Sequence, residues 1–226
     1  MSGNREELIR DLVADLKPVE RPGRIGGVLG AWLAAAVTYS VIIVLATGPI
    51  REGALHNLLA FPGFALETVL AAAAIALLAH AALTTSIPGR PGPGRKLLWP
   101  LVVLGAWISV YVIGLIYPAH PVSTLGNRDF CVWQVALFSV PSFALLLWMI
   151  RRQLPLWPRI TGMTAGAASA AIPAALMQFG CMYVPSHILT HHIGPIFVVA
   201  AVGVLVGPLV LKTRRDVPRR RDVSIH

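Results

Sequence analysis

Over 226 residues, 56% are hydrophobic and only 13% charged, about half the charged share of a typical soluble domain. With a mean hydropathy of +0.70, this excludes an ordinary water-soluble fold and places the chain among membrane proteins. A formal charge of +9 does not make it a nucleic-acid-binding protein, because the basic residues flank apolar runs and form no basic domain.

The first residues, MSGNREELIRDLVADLKPVE, are polar and partly acidic. No short apolar stretch with a small-residue cleavage site follows, so a removable signal peptide is not expected. Within them Leu8, Ile9, Leu12, Val13 and Leu16 recur at helical spacing, while Glu6, Glu7, Arg10, Asp11 and Asp15 fill the opposite face. This predicts an amphipathic helix ending before Pro18. Helices that lie on anionic membranes carry a basic polar face. The acidic face here favours docking in a groove on a soluble protein with a basic surface.

Six apolar runs long enough to span a bilayer follow, at about Ile25 to Ala46, Phe61 to Ile87, Leu97 to Tyr117, Cys131 to Ile150, Ile160 to Gly180 and Ile193 to Leu211. Polar or Pro/Gly-rich segments separate them. The expected fold is all-α, a polytopic bundle of six transmembrane helices. It divides into a cytoplasmic partner-binding segment (1–24), a membrane domain (25–211) and a basic cytoplasmic tail (212–226).

Orientation follows from Lys and Arg, which are retained on the cytoplasmic side in short loops. Seventeen of them fall in the two termini and in the loops after the second and fourth spans, and every one lies outside the apolar runs. The opposite side holds only Arg51 and Arg128. Both termini are therefore expected in the cytoplasm of a bacterium, with the protein in the inner membrane.

Gly162 and Gly166, and Gly203 and Gly207, form small-xxx-small pairs that let helix backbones approach closely in lipid. Pro141 and Pro173 fall mid-span, where kinks are expected. Only Glu67 and His80 are ionisable within a span, each near enough to an end to be wetted by headgroups. Carriers and pumps usually place more charge in the bilayer, and no nucleotide-binding loop, HExxH or GxSxG is present. No enzyme activity and no cofactor are expected, and a small transporter or channel subunit is the alternative reading. A thiol oxidoreductase is disfavoured because the two cysteines form no CxxC.

Those cysteines, Cys131 opening the fourth span and Cys181 closing the fifth, fall at the same outer face on spans joined by a short loop. Contact between the sulfurs is geometrically accessible, as a structural disulfide or as a thiol or metal sensor. His187, His191 and His192 follow in CMYVPSHILTHH, with His120 in the neighbouring outer loop. Thiolate and imidazole suit zinc, copper and cadmium, and His187 and His191, four apart, form a chelating pair on one helix face. The candidate metal ligands are Cys131, Cys181, His187 and His191.

The N-terminal LIRDLVADLKPV, the six spans, the cysteine at the start of the fourth and the tail GCMYVPSHILTHHIGPIFVVAAVGVLVGPLVL together resemble the NrsF family of membrane-embedded negative regulators of extracytoplasmic-function sigma factors. The carrying elements are the leucine-rich segment closed by Asp15, Leu16, Pro18 and Val19, and the two outer cysteines. The segment after Cys181 departs from the family in carrying His191 and His192 in place of an aromatic pair. The resemblance implies an anti-sigma factor that holds its sigma factor at the membrane through the N-terminal segment, with Leu8, Ile9, Leu12, Val13, Asp15, Leu16, Pro18 and Val19 as the partner-binding residues. It also implies that Cys131 and Cys181 report an envelope stress such as heavy metal or oxidation. The expected partners are the sigma factor and the lipid bilayer, with no direct contact to nucleic acid.

Overall fold

The computed structural model describes residues 3–14, 24–87, 93–119, 121–128, 130–153 and 155–211. Asp15, Leu16, Pro18, Val19, His120 and the tail 212–226 lie outside the described residues. So do the side chains of Leu8 and Leu12, although their backbone is helical.

The described chain is helical throughout, apart from its connections. α1 covers Gly3–Ala14, α2 Ile25–Ala46, α3 Ala54–Ala60, α4 Pro62–Thr85, α5 Pro93–Gly114, α6 Cys131–Ile150, α7 Pro158–Gly180, α8 Pro185–His187 and α9 Gly194–Val210. A 3-10 turn, Arg151–Gln153, closes α6, and a π-helical stretch, Ile188–Ile193, joins α8 to α9 into one continuous rod. Six helices, counting that rod once, are long and apolar enough to cross a membrane.

Proline sets where several of them begin. Its fixed φ suits the first turn and its missing N–H is one the helix would leave unpaired anyway. It stands in the first turn of α4, α7, α8 and α9. Pro141 and Pro173 lie inside α6 and α7 as expected, and Pro100 and Pro208 lie inside α5 and α9. The third span starts earlier than its hydropathy predicts. Pro93 initiates α5, so Arg95 and Lys96 occupy its first turn, and Lys96 Nζ donates to Thr84 O at the end of α4 (2.8 Å). The basic residues Arg95, Lys96 and Arg159 are thus helical, at helix ends. The sixth span also begins earlier, at Pro185.

α7 is the central helix. Its Ala-rich run is buried without a break from Thr164 to Ala174, and α2, α4, α6 and α9 pack around it. Small side chains make this possible, because in lipid, helix association depends on close packing and not on escape from water. The small-xxx-small pairs meet across the α7/α9 seam. A Cβ built on Gly162 would fall 2.1 Å from Gly203 O, and one on Gly203 would fall 2.2 Å from Gly162 O. Only glycine fits at either position.

The two ends of the bundle are also distinguishable. At one end Thr85 meets Thr161 (3.1 Å), Ser86 bonds to Gln153, and Gly207 packs on Pro158. At the other end Ser123 and Tyr183 form an isolated antiparallel bridge, and Gly114 packs on Pro185. This second end holds both cysteines.

Candidate functional site: a buried thiol–imidazole cluster

The C-terminus of α7 organises the second end. A helix leaves its last carbonyls without intrahelical donors, and in a buried setting they need partners from elsewhere. Two arginines supply them. Arg128 donates from Nε to Gly180 O (3.1 Å), from Nη2 to Pro49 O (3.0 Å) and from Nη1 to Thr47 Oγ1 (3.3 Å). Arg51 donates its backbone N–H to Phe179 O (2.8 Å) and reaches Gln178 O from Nη2 (3.5 Å). Positive charge at a helix C-terminus is further favoured by the macrodipole. These are the two basic residues that the sequence places apart from the other seventeen, and both are fastened to protein groups.

Arg51 lies 4% exposed, with its guanidinium 5.8 Å from the centre of the Tyr183 ring. Burial holds its pKa below the usual arginine value. The Tyr183 hydroxyl donates to Glu67 Oε1 on α4 (2.5 Å), and Tyr111 on α5 lies beside the same carboxyl. Burial, and then the bond to Glu67, push the Tyr183 phenol up. Glu67 is therefore not wetted by headgroups, as its place in the span led us to expect. It is fully buried and tied to the residue two positions after Cys181. His80, by contrast, is exposed on the outside of the bundle.

Arg128 also fixes the cysteines. Cys131, three residues later, donates from Sγ to Arg128 O (3.2 Å), while Cys181 directly follows the carbonyl that Arg128 caps. The two sulfurs lie 2.9 Å apart, both fully buried. Cys181 Sγ is also 3.3 Å from His187 Nε2. The neighbouring Cys131 thiol, followed by the imidazoles of His192 and His187, holds the Cys181 thiol below the ordinary thiol range, although burial acts the other way.

Of the candidate ligands, the structure gathers Cys131, Cys181 and His187 and adds His192. One ligand atom from each of these four lies within 4.8 Å of every other. His191 stacks its ring on His187 (centroids 4.2 Å apart, 12° between planes) but is not one of the four. The physical reason is the π-helical stretch. Its i→i+5 register, rare and often found at functional sites, carries the residue five positions after His187 toward the cysteines. His192 then meets His187 edge-on, with centroids 5.2 Å apart. The paired histidines of HILTHHIGP were the available sequence signal, but an ordinary helical periodicity picks the wrong member of the pair.

In α1, Ile9 and Val13 are exposed, as are Glu6, Glu7 and Arg10. Among the described residues, nothing covers these apolar positions.

Fold and site together define a multi-pass membrane protein with a buried thiol–imidazole cluster at one end of its bundle. Residues 12–212 match the family described as NrsF, negative regulator of sigma F, and the chain belongs to that family. It is a negative regulator of a sigma factor. No curated protein matches the chain, and no solved structure does.

Proposed function

We propose that the protein is an anti-sigma factor of the bacterial inner membrane, with both termini in the cytoplasm. It sequesters an extracytoplasmic-function sigma factor through its N-terminal segment and releases it when metal or oxidative stress reaches Cys131 and Cys181 on the outer side. The single observation that carries the sensing half is the meeting of the two sulfurs, fifty residues apart in sequence, 2.9 Å from one another. They sit at the junction of α6, α7 and the rod leading into α9, where a change of bonding bears on three helices at once.

Orientation is supported by the charge asymmetry and by the fact that its two exceptions, Arg51 and Arg128, cap α7. Capture is supported by the family match and by the exposed apolar positions Ile9 and Val13. In the docked state Leu8, Ile9, Leu12, Val13 and Leu16 bury against the sigma factor. Glu6, Glu7, Asp11 and Asp15 face the basic surfaces that otherwise touch promoter phosphates, and Pro18 and Val19 end the segment. Release requires that the stressed state bind the sigma factor less tightly than the resting one.

The test is co-purification from detergent-solubilised membranes, comparing the full chain with one lacking residues 2 to 18. The expected result is a sigma factor that accompanies the full chain alone. A sigma factor recovered equally with both chains, or with neither, would overturn the capture mechanism.

A further inference from the structure

We propose that Cys131, Cys181, His187 and His192 form a closed four-ligand site for a divalent cation of the zinc class. His192 completes it, and His191 lies outside it.

Three observations carry the assignment. The first is geometry. The four donor atoms already lie within 4.8 Å of one another. A tetrahedral ion bound at about 2.3 Å from sulfur and about 2.0 Å from nitrogen needs donors roughly 3.3–3.8 Å apart. The sulfurs, 2.9 Å apart, must open by somewhat less than an ångström, His187 Nε2 already lies 3.3 Å from Cys181 Sγ, and no donor pair has to close by more than about 1.5 Å.

The second is His192 itself. It is fully buried, and neither ring nitrogen makes a hydrogen bond of good geometry among the described residues, its nearest polar neighbour being the Cys181 sulfur. A buried imidazole without a well-placed partner is costly, and a cation bound at one ring nitrogen removes that cost for the ligating nitrogen.

The third is charge. Binding releases to solvent whatever protons the two sulfurs still hold and leaves two thiolates, two neutral imidazoles and one divalent ion, with no net charge. Without the ion two buried thiolates would have only partial compensation, from the Arg51 guanidinium near Cys181. Donor chemistry narrows the choice further: two sulfurs and two imidazoles, with no carboxylate among the four, suit Zn2+ and its softer relatives and not magnesium or calcium. His187, half-buried and the outermost of the four, provides the entry path.

For its consequence, the inference rests on reading the cysteine pair as the sensor. Ion binding would tie the start of α6, the end of α7 and the rod into α9 to one centre, so an ion of different preferred geometry would reset all three. Binding itself is independent of sigma-factor capture and is tested separately.

The full chain, purified in detergent under reductant, is titrated with Zn2+ alone against a competing chelator, and with Co2+ for its absorption spectrum. The wild type and His191→Ala are expected to bind one equivalent. Their Co2+ spectra should show the intense visible bands of a tetrahedral site and a thiolate-to-metal charge-transfer band. Loss of an outer partner that orients a ligand weakens metal binding about 10–100-fold, so removal of a direct ligand in Cys181→Ser or His192→Gln should weaken it at least as much, with the charge-transfer band reduced in Cys181→Ser and the visible bands shifted in His192→Gln. Monodisperse elution and unchanged helical circular dichroism show that the variants are folded. The proposal is overturned if folded wild type takes up no stoichiometric Zn2+, or if His192→Gln binds as the wild type does. It is equally overturned if His191→Ala loses as much affinity as His192→Gln. Sigma-factor co-purification with the same variants, in the absence of added metal, reads the capture function apart from any of these outcomes.

Discussion

Replacing Gly203 by alanine tests the packing of the two helices that lead to the thiol–imidazole cluster. The new Cβ would sit 2.2 Å from Gly162 O, 2.7 Å from its carbonyl carbon and 3.2 Å from Met163 N. All three atoms are backbone, so no side chain can rotate away. Restoring ordinary contact at 3.4 Å requires the two helices to separate by about 1.2 Å, and a tightly packed interior does not absorb such a shift locally. Overpacking of this kind costs about 1–3 kcal/mol, and the absence of a yielding side chain places Gly203→Ala in the upper part of that range. The intrinsic preference of a helix for alanine returns less than about 1 kcal/mol, so the net effect is destabilising. The control is Gly105→Ala in α5, where a Cβ meets nothing within 4 Å and the same preference acts alone. Reversible unfolding in mixed micelles should place Gly203→Ala about 1–2 kcal/mol below the wild type and Gly105→Ala at or slightly above it. Equal stabilities for the two variants would refute the close α7/α9 contact. Since α7 ends at Cys181 and α9 continues the rod bearing His187 and His192, the same substitution should also weaken binding at the cluster.

Replacing Leu12 with Arg places a charge on the apolar seam of the N-terminal segment and should abolish sigma-factor recovery from membranes; undiminished recovery would contradict docking through that seam. Arg128→Lys keeps the charge but loses the planar fork that reaches Gly180 O, Pro49 O and Thr47 at once. We expect a loss of about 1–3 kcal/mol in unfolding free energy and faster oxidation of the cysteine pair, followed by thiol titration; wild-type behaviour in both would remove Arg128 from its capping role. Tyr183→Phe removes the donor to Glu67 Oε1 and leaves a buried carboxyl without that partner, a loss of about 1–3 kcal/mol. Adding Glu67→Gln to Tyr183→Phe should then cost less than it does in the wild type, and strict additivity of the two would show that the pair does not interact.

Much of this protein is written in its sequence. The bilayer forces every spanning backbone to satisfy itself by helix formation, so hydropathy and length alone locate α2, α4, α5, α6 and α7. The segregation of Lys and Arg supports one orientation without any coordinates. The small residues at 162, 166, 203 and 207 identify a helix seam by type, and alternation of the spans places Cys131 and Cys181 at the same end. Tertiary structure decides what periodicity cannot reach. That the seam joins α7 to α9 in a backbone contact is a matter of which helices are neighbours. That Arg51 and Arg128 are caps depends on the unsatisfied carbonyls of a helix distant in sequence. Glu67 is buried where Tyr183 and Tyr111, both distant in sequence, meet its carboxyl. His192 joins the thiols because the chain from Ile188 to Ile193 winds at the wider π register, a local departure invisible to any count of residues per ordinary turn.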